Sequence, residues 1–291
     1  MMGRWMLLGG LCTVLCSLSP HLLHAASELR FGVYTTDKPT AMVKKLRPLL
    51  NALETDLSQR LGEPVTIRMQ AARDYAQGLQ DLVTGKVDMA RLGPASYVRA
   101  KAANPQIRIL AMENHRGGKT FHGVICVHAD SAIHQVRDLK GKRFAFGNAH
   151  STFGRYLSQQ YLLDHGLTAS DLAGFAFLGR HDKVGEAVGA GGFDAGALKE
   201  NTFDKLVRQG VPLRALAKLP IVTRPWVARS GFPEPLYRAV QDALLQLKAP
   251  KALKALKKDG FLLGRDADYD GIRASMARAA VFDPHGVMAV E

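Results

Sequence analysis

Apolar residues along this chain alternate between two periods, and each change of period marks a new element. Leu29, Phe31 and Val33 alternate with polar or small neighbours, as in a half-buried strand. After a turn at 35–39, Met42, Val43, Leu46, Leu49, Leu50, Leu53 and Leu57 recur near every 3.6 residues. That spacing predicts a long amphipathic helix, stopped at Leu61-Gly62 by a glycine C-cap. Residues 65–69 read as a second strand, a helix follows to Gly85, and residues 87–90 read as a short third strand. Gly93-Pro94 opens another helix. A new unit starts near Thr120, with strands predicted at 124–127, 143–146, 176–178 and 193–197 between helical stretches. Helix, glycine, Val or Phe, Asp and a small apolar pair occurs twice, at 87–90 and 193–197, which predicts two lobes built alike. Residues 213–222 and 224–229 lead back to the first unit, and 235–261 read as helices. Strands alternating with helices predict α/β lobes, each a mainly parallel sheet flanked by helices. Chain crossings near 119–124 and 217–227 would form a hinge.

The N-terminus changes this picture. Arg4, an apolar run to Leu18 and the small residues of His24-Ala25-Ala26-Ser27 read as a signal peptide over residues 1–26. The run is too short and broken for a transmembrane span, so release into the periplasm is expected, with a retained anchor as the alternative. About 265 residues then remain, enough for two medium lobes. The formal charge of +13 falls to +12 when Arg4 leaves, which suits attraction of anions. No basic run is interleaved with aromatics, which argues against a nucleic-acid partner. Cys12 and Cys16 leave with the signal, so no disulfide forms within the remaining chain. Cys126, inside the run Val124-Ile125-Cys126-Val127, reads as a small buried hydrophobe. There is no Gly-x-Ser-x-Gly elbow, P-loop or paired metal-ligand motif, so no catalytic residue, cofactor or metal is expected.

The candidate chemistry lies at 147–152. A strand runs into Gly147-Asn148-Ala149-His150-Ser151-Thr152, and a helix starts there. A helix N-terminus offers unpaired N–H groups and the positive end of the macrodipole. Ser151 and Thr152 hydroxyls at that point can hold an oxyanion; plain N-capping is the competing reading.

The ordered series Phe31-Gly32-Val33, Arg73-Asp74-Tyr75, the run from Val87 to Tyr97, Asp138-Leu139-Lys140-Gly141-Lys142-Arg143, Ser151-Thr152, Gly179-Arg180-His181-Asp182 and Asp194-Ala195-Gly196-Ala197 resembles the phosphonate/phosphite-binding periplasmic components of ABC transporters. The resemblance implies a two-lobed type II periplasmic-binding-protein fold joined by a two-strand hinge. Residues 27–120 with 225–291 would form one lobe and residues 121–224 the other. It implies a pocket containing Tyr75, Phe121, Ser151 with Thr152, His181 and Glu200. Three positions depart from the family pattern. Phe153 stands where a third hydroxyl is usual, and Phe121 lacks a phenol OH for which neighbouring His122 could substitute. Arg224 lies where aminophosphonate binders place an acid, which disfavours an ammonium group and favours a second anionic one. The implied ligand is a small oxyanion such as phosphonate, phosphite or phosphate, bound by a monomer without catalysis. The implied partners are an ABC permease and its ATPase, with membrane contact only through them. A sensor subunit for a histidine kinase, reading another oxyanion such as arsenite, in that case through Cys126, is the alternative.

Overall fold

The computed structural model describes residues 27–34 and 39–284. The expected signal peptide, with Cys12 and Cys16, and the turn at 35–38 lie outside the described residues. The chain opens with β1 (Ser27–Tyr34), α1 (Pro39–Leu61), β2 (Val65–Ala72), α2 (Tyr75–Val83), β3 (Met89–Arg91), α3 (Pro94–Ala103) and β4 (Arg108–Asn114). It continues through β5 (Thr120–His128), β6 (Arg143–Phe146), a π-helical turn (Thr152–Leu157) running into α4 (Ser158–Asp164), β7 (Gly174–Phe177), α5 (His181–Gly189), β8 (Ala195–Lys199), α6 (Glu200–Arg208) and β9 (Leu213–Val222). It closes with β10 (Pro225–Ala228), α7 (Glu234–Leu245), α8 (Pro250–Leu256), β11 (Gly260–Leu262) and α9 (Asp270–Phe282).

Two sheets result, each flanked by helices. The first has the order β11-β4-β10-β3-β1-β2 and the second β7-β6-β8-β5-β9. β1 runs parallel to β2 and β3, and β6 parallel to β7 and β8, whereas β10 and β5 run antiparallel to both of their neighbours. α1 buries Leu46, Leu49, Leu50, Leu53 and Leu57 against Phe31 and Trp226 of the first sheet. In the second lobe β5 feeds two cores by strict alternation. Ile125 and Val127 join Phe144 and Phe146 on one face, and Val124 and Cys126 join Val184 and Leu206 on the other.

The repeated aspartate has one physical role in both lobes. Asp88 donates its backbone N–H to the Arg30 carbonyl at 2.9 Å, and its carboxylate accepts the Arg30 N–H at 2.9 Å. Asp194 repeats this on Arg143, at 3.0 and 2.7 Å. Each aspartate thus continues a ladder just before its strand begins, with a side chain standing in for a backbone acceptor.

The two chain crossings are hydrogen-bonded to each other. Thr223 N–H donates to the Lys119 carbonyl at 2.8 Å and Glu113 N–H to the Arg224 carbonyl at 3.1 Å. α9 makes a third link. Its Ile272 and Ala279 pack with Tyr97 of the first lobe, while Phe282 stands 5.7 Å from Phe146 and 6.1 Å from Phe175 of the second. The segment from 225 onward therefore does not pack on the first sheet alone. β4, β11 and α9 are not in the sequence reading, and β3 starts two residues later than expected. β4 is an internal strand buried from Ile109 to Glu113, so its apolar residues run continuously from Ile109 to Met112 without alternation. β11 is only three residues long and follows directly on helical periodicity.

Candidate anion site between the lobes

At the end of β6 the backbone turns so that Ser151 caps the following helix. Ser151 Oγ accepts the Gly154 N–H at 3.0 Å. The Ser151 carbonyl accepts both the Arg155 and the Tyr156 N–H, at 3.2 and 3.3 Å, which opens the first turn to π geometry. Thr152 Oγ1 accepts the N–H of Ala95, in the first turn of α3, at 3.0 Å across the cleft. A hydroxyl has one proton and two lone pairs. With an N–H already donated to each oxygen, both hydroxyl protons remain to be offered to an acceptor. N-capping and anion binding are therefore compatible at Ser151.

Facing these hydroxyls is a small cavity of about 20 Å³ lined by Tyr75, Gly93, Pro94, Phe121, Ser151, Thr152, Phe153, Lys199, Ile221 and Arg224. Both lobes and one crossing contribute to it. Tyr75 begins α2, is 6% exposed, and stacks 4.2 Å from Tyr34. Gly93 is required by crowding. A Cβ there would stand 2.9 Å from the Tyr34 hydroxyl and 3.6 Å from both Arg224 Nη1 and Thr152 Oγ1. Phe153 has a matching explanation. Its ring lies over Gly123, where a Cβ would come within 2.3 Å of it. The hydroxyl expected at that position is thus replaced by an apolar wall, completed by Phe121 and Ile221.

The sequence-predicted residues divide into three groups. Tyr75, Phe121, Ser151, Thr152 and Arg224 meet in the small cavity. His122 and Glu200 lie outside it, in an adjoining chamber that shares Phe121, Lys199 and Arg224 with it. Glu200 accepts from Lys218 Nζ at 3.0 Å and stands 3.7 Å from His122 Nδ1. Those neighbours, rather than the small cavity, occupy its carboxylate.

His181 is 3% exposed and lies behind Gly147. Burial, then Lys199 and Arg224, push its pKa well below the usual histidine range, so the ring is neutral. Its ring hydrogen-bonds the Ala197 backbone, and Nδ1 has no partner. The ring is thereby neutral, with the Nδ1 lone pair left to offer.

Sequence reasoning missed Lys199 and the charged group behind Phe121. Glu113 is 1% exposed and accepts from Arg91 Nε at 2.5 Å; Lys258 Nζ is 3.7 Å from its other oxygen. Burial opposes ionisation of Glu113, but Arg91, then Lys258 and Arg224, outweigh it and hold its pKa down at about 2. No periodicity reports this group, because it is assembled from β3, β4 and the segment after α8. Cys126 is not part of any of this. It is fully buried under α5, and burial pushes its thiol up to about 12, in keeping with a small buried hydrophobe.

Residues 31–269 match the sequence model of a family described as "ABC transporter, phosphonate, periplasmic substrate-binding protein". The chain belongs to this family of phosphonate-transporter binding proteins. Among curated relatives of this binding-protein family, the phosphate-import protein PhnD of Mycolicibacterium smegmatis is 26% identical over 256 residues, 78% of each chain. A probable ABC transporter phosphite-binding protein, PhnD1 of Prochlorococcus marinus, is 26% identical over 162 residues, 53% of each chain. The solved structure of that PhnD1 with methylphosphonate superposes with a TM-score of 0.78 at 21% identity, covering 87% of this chain and 98% of the other. The two-lobed fold of such binding proteins is therefore the fold of this chain. Its family membership places it with an ABC transporter and in the periplasm. Among the described residues no helix is long and apolar enough to cross a membrane.

Proposed function

We propose that this protein captures a tetrahedral phosphorus oxyanion, a phosphonate or phosphite, between its lobes. It delivers that anion as a monomer to an ABC permease and its ATPase after export and removal of residues 1–26. The observation that carries the reading is the pair of Ser151 and Thr152 hydroxyls, each already accepting one N–H and with its proton available, facing Tyr75, Lys199 and Arg224 across one cavity. Hydrogen bonds to an ionised acceptor are shorter and about twice as strong as neutral pairs. Tyr75 and Ser151 come from different lobes, so binding favours closure, and the crossings at Lys119 and Thr223 would flex as the hinge. The segments 27–120 with most of 225–291, and 121–224, are the bodies that would move.

The test is calorimetric titration of the purified protein with methylphosphonate, phosphite, phosphate and sulfate, with Trp226 fluorescence as a second signal. Trp226 is buried against Phe31 and Phe261, and its Nε1–H is 3.4 Å from Glu113 Oε1, beside the crossing. Saturable binding of a phosphorus oxyanion, weakened about tenfold or more in Ser151→Ala, is the expected result. Absence of heat and fluorescence change with every phosphorus anion would sink the reading.

A further inference from the structure

Beyond Phe121 lies a second chamber of about 300 Å³. It joins the small cavity through Phe121, Lys199 and Arg224, which line both. Lysines and arginines outnumber carboxylates eight to three among the residues lining it. Two of those carboxylates already have cationic neighbours: Glu113 has Arg91 and Lys258, and Glu200 has Lys218 from outside the chamber. Lys258 is held at the dividing wall, with Nζ 5.2 Å from the Phe121 ring centroid and a side chain only 11% exposed. Arg224 is 9% exposed and lies at the junction of the two spaces. A semi-enclosed space with one sign of charge concentrates the opposite sign. The small cavity alone has room for little beyond a compact head group.

We propose that this chamber is a second anion subsite, and that the ligand is a phosphonate whose short carbon substituent ends in a second anionic group, such as a carboxylate. The proposal rests on the phosphonate reading above. The head group would sit against Ser151 and Thr152, the carbon linker against Phe121, Phe153 and Ile221, and the second anion against Arg224 and Lys258. An ammonium group in the same place would face an excess of like charge.

The experiment compares methylphosphonate, phosphonoacetate and 2-aminoethylphosphonate by calorimetry at low salt, in the full protein and in Arg224→Gln and Lys257→Gln. Phosphonoacetate should bind about tenfold tighter than methylphosphonate, equivalent to about 1.4 kcal/mol, and 2-aminoethylphosphonate more weakly than either. Arg224→Gln should bring the phosphonoacetate-to-methylphosphonate ratio to about one. If that buried change prevents folding, Lys257→Gln, at an exposed position lining the chamber, should lower the ratio about two- to threefold. Methylphosphonate binding with no preference for phosphonoacetate, or a preference untouched in both variants, would overturn the second subsite and leave the phosphonate reading standing. Failure of methylphosphonate and phosphonoacetate alike would overturn that reading itself.

Discussion

At the scale of single residues, the two aspartates of the repeated motif do the same backbone job under different loads. Asp88 also holds the side chains of Arg30 and Arg229, at 3.0 Å each, and its own side chain is 8% exposed. Burial opposes its ionisation, but the hydrogen bonds from Arg30 and Arg229 outweigh burial and lower its pKa. Asp194 is more exposed and accepts from the Arg143 backbone. Asp88→Asn is therefore expected to cost about 2–3 kcal/mol of unfolding free energy and Asp194→Asn about 1 or less, measured by urea denaturation. Equal costs would show that the arginine pairs on Asp88 contribute nothing. The motif itself was legible in the sequence as a repeat; its cause was not, because the partner Arg lies 58 residues away in one lobe and 51 in the other.

At the scale of elements, Phe153 shows how a departure from a family pattern is absorbed. The π turn carries the ring onto β5 exactly where β5 has no side chain, so Gly123 and Phe153 form one packing unit. Gly123→Ala should destabilise the protein by about 1–3 kcal/mol through overpacking. In a Phe153→Ala background the same change should cost nearly nothing, giving a coupling energy of comparable size in a double-mutant cycle. Additive effects would mean that the ring does not fill the Gly123 gap. The helix start at 151–152 was readable from its hydroxyl residues and following apolar spacing. Its π opening was not, since a bond from Tyr156 N–H to the Ser151 carbonyl leaves no compositional trace.

At the scale of the whole molecule, closure rests on a few contacts between the lobes, and one of them titrates. Arg99 of α3 donates from Nη1 to His150 Nδ1 of the second lobe at 2.8 Å. Arginine has no acceptor, so His150 must be neutral with its proton on Nε2. Burial, then Arg99 and Arg155, lower its pKa from the ordinary 6.5. The sign follows from that direction. The contact is fully present above about pH 6.5 and is lost as pH falls through the lowered value, because protonation replaces the acceptor with a second cation. Small-angle scattering of the ligand-free protein should show a radius of gyration that grows as pH is lowered from about 7.5 to the point where His150 protonates, and His150→Gln should flatten this change. An unchanged radius in a sample whose NMR spectrum shows His150 protonated would refute the latch.

Local pattern by itself determined the alternating α/β elements, the two similar halves, the cationic balance and the hydroxyl-bearing helix start. Each of these depends on residues close together in sequence, where periodicity and capping chemistry are readable. Tertiary structure alone decided which of the candidate residues share a space. It joined Tyr75, Ser151, Thr152 and Arg224 in one cavity, moved His122 and Glu200 to the next, and buried His181 as a neutral ring. It also assembled Arg91, Glu113 and Lys258 from distant segments and placed Phe282 in the core of the opposite lobe. Charge pairing and burial act through space, and the fold sets those distances without regard to separation along the chain.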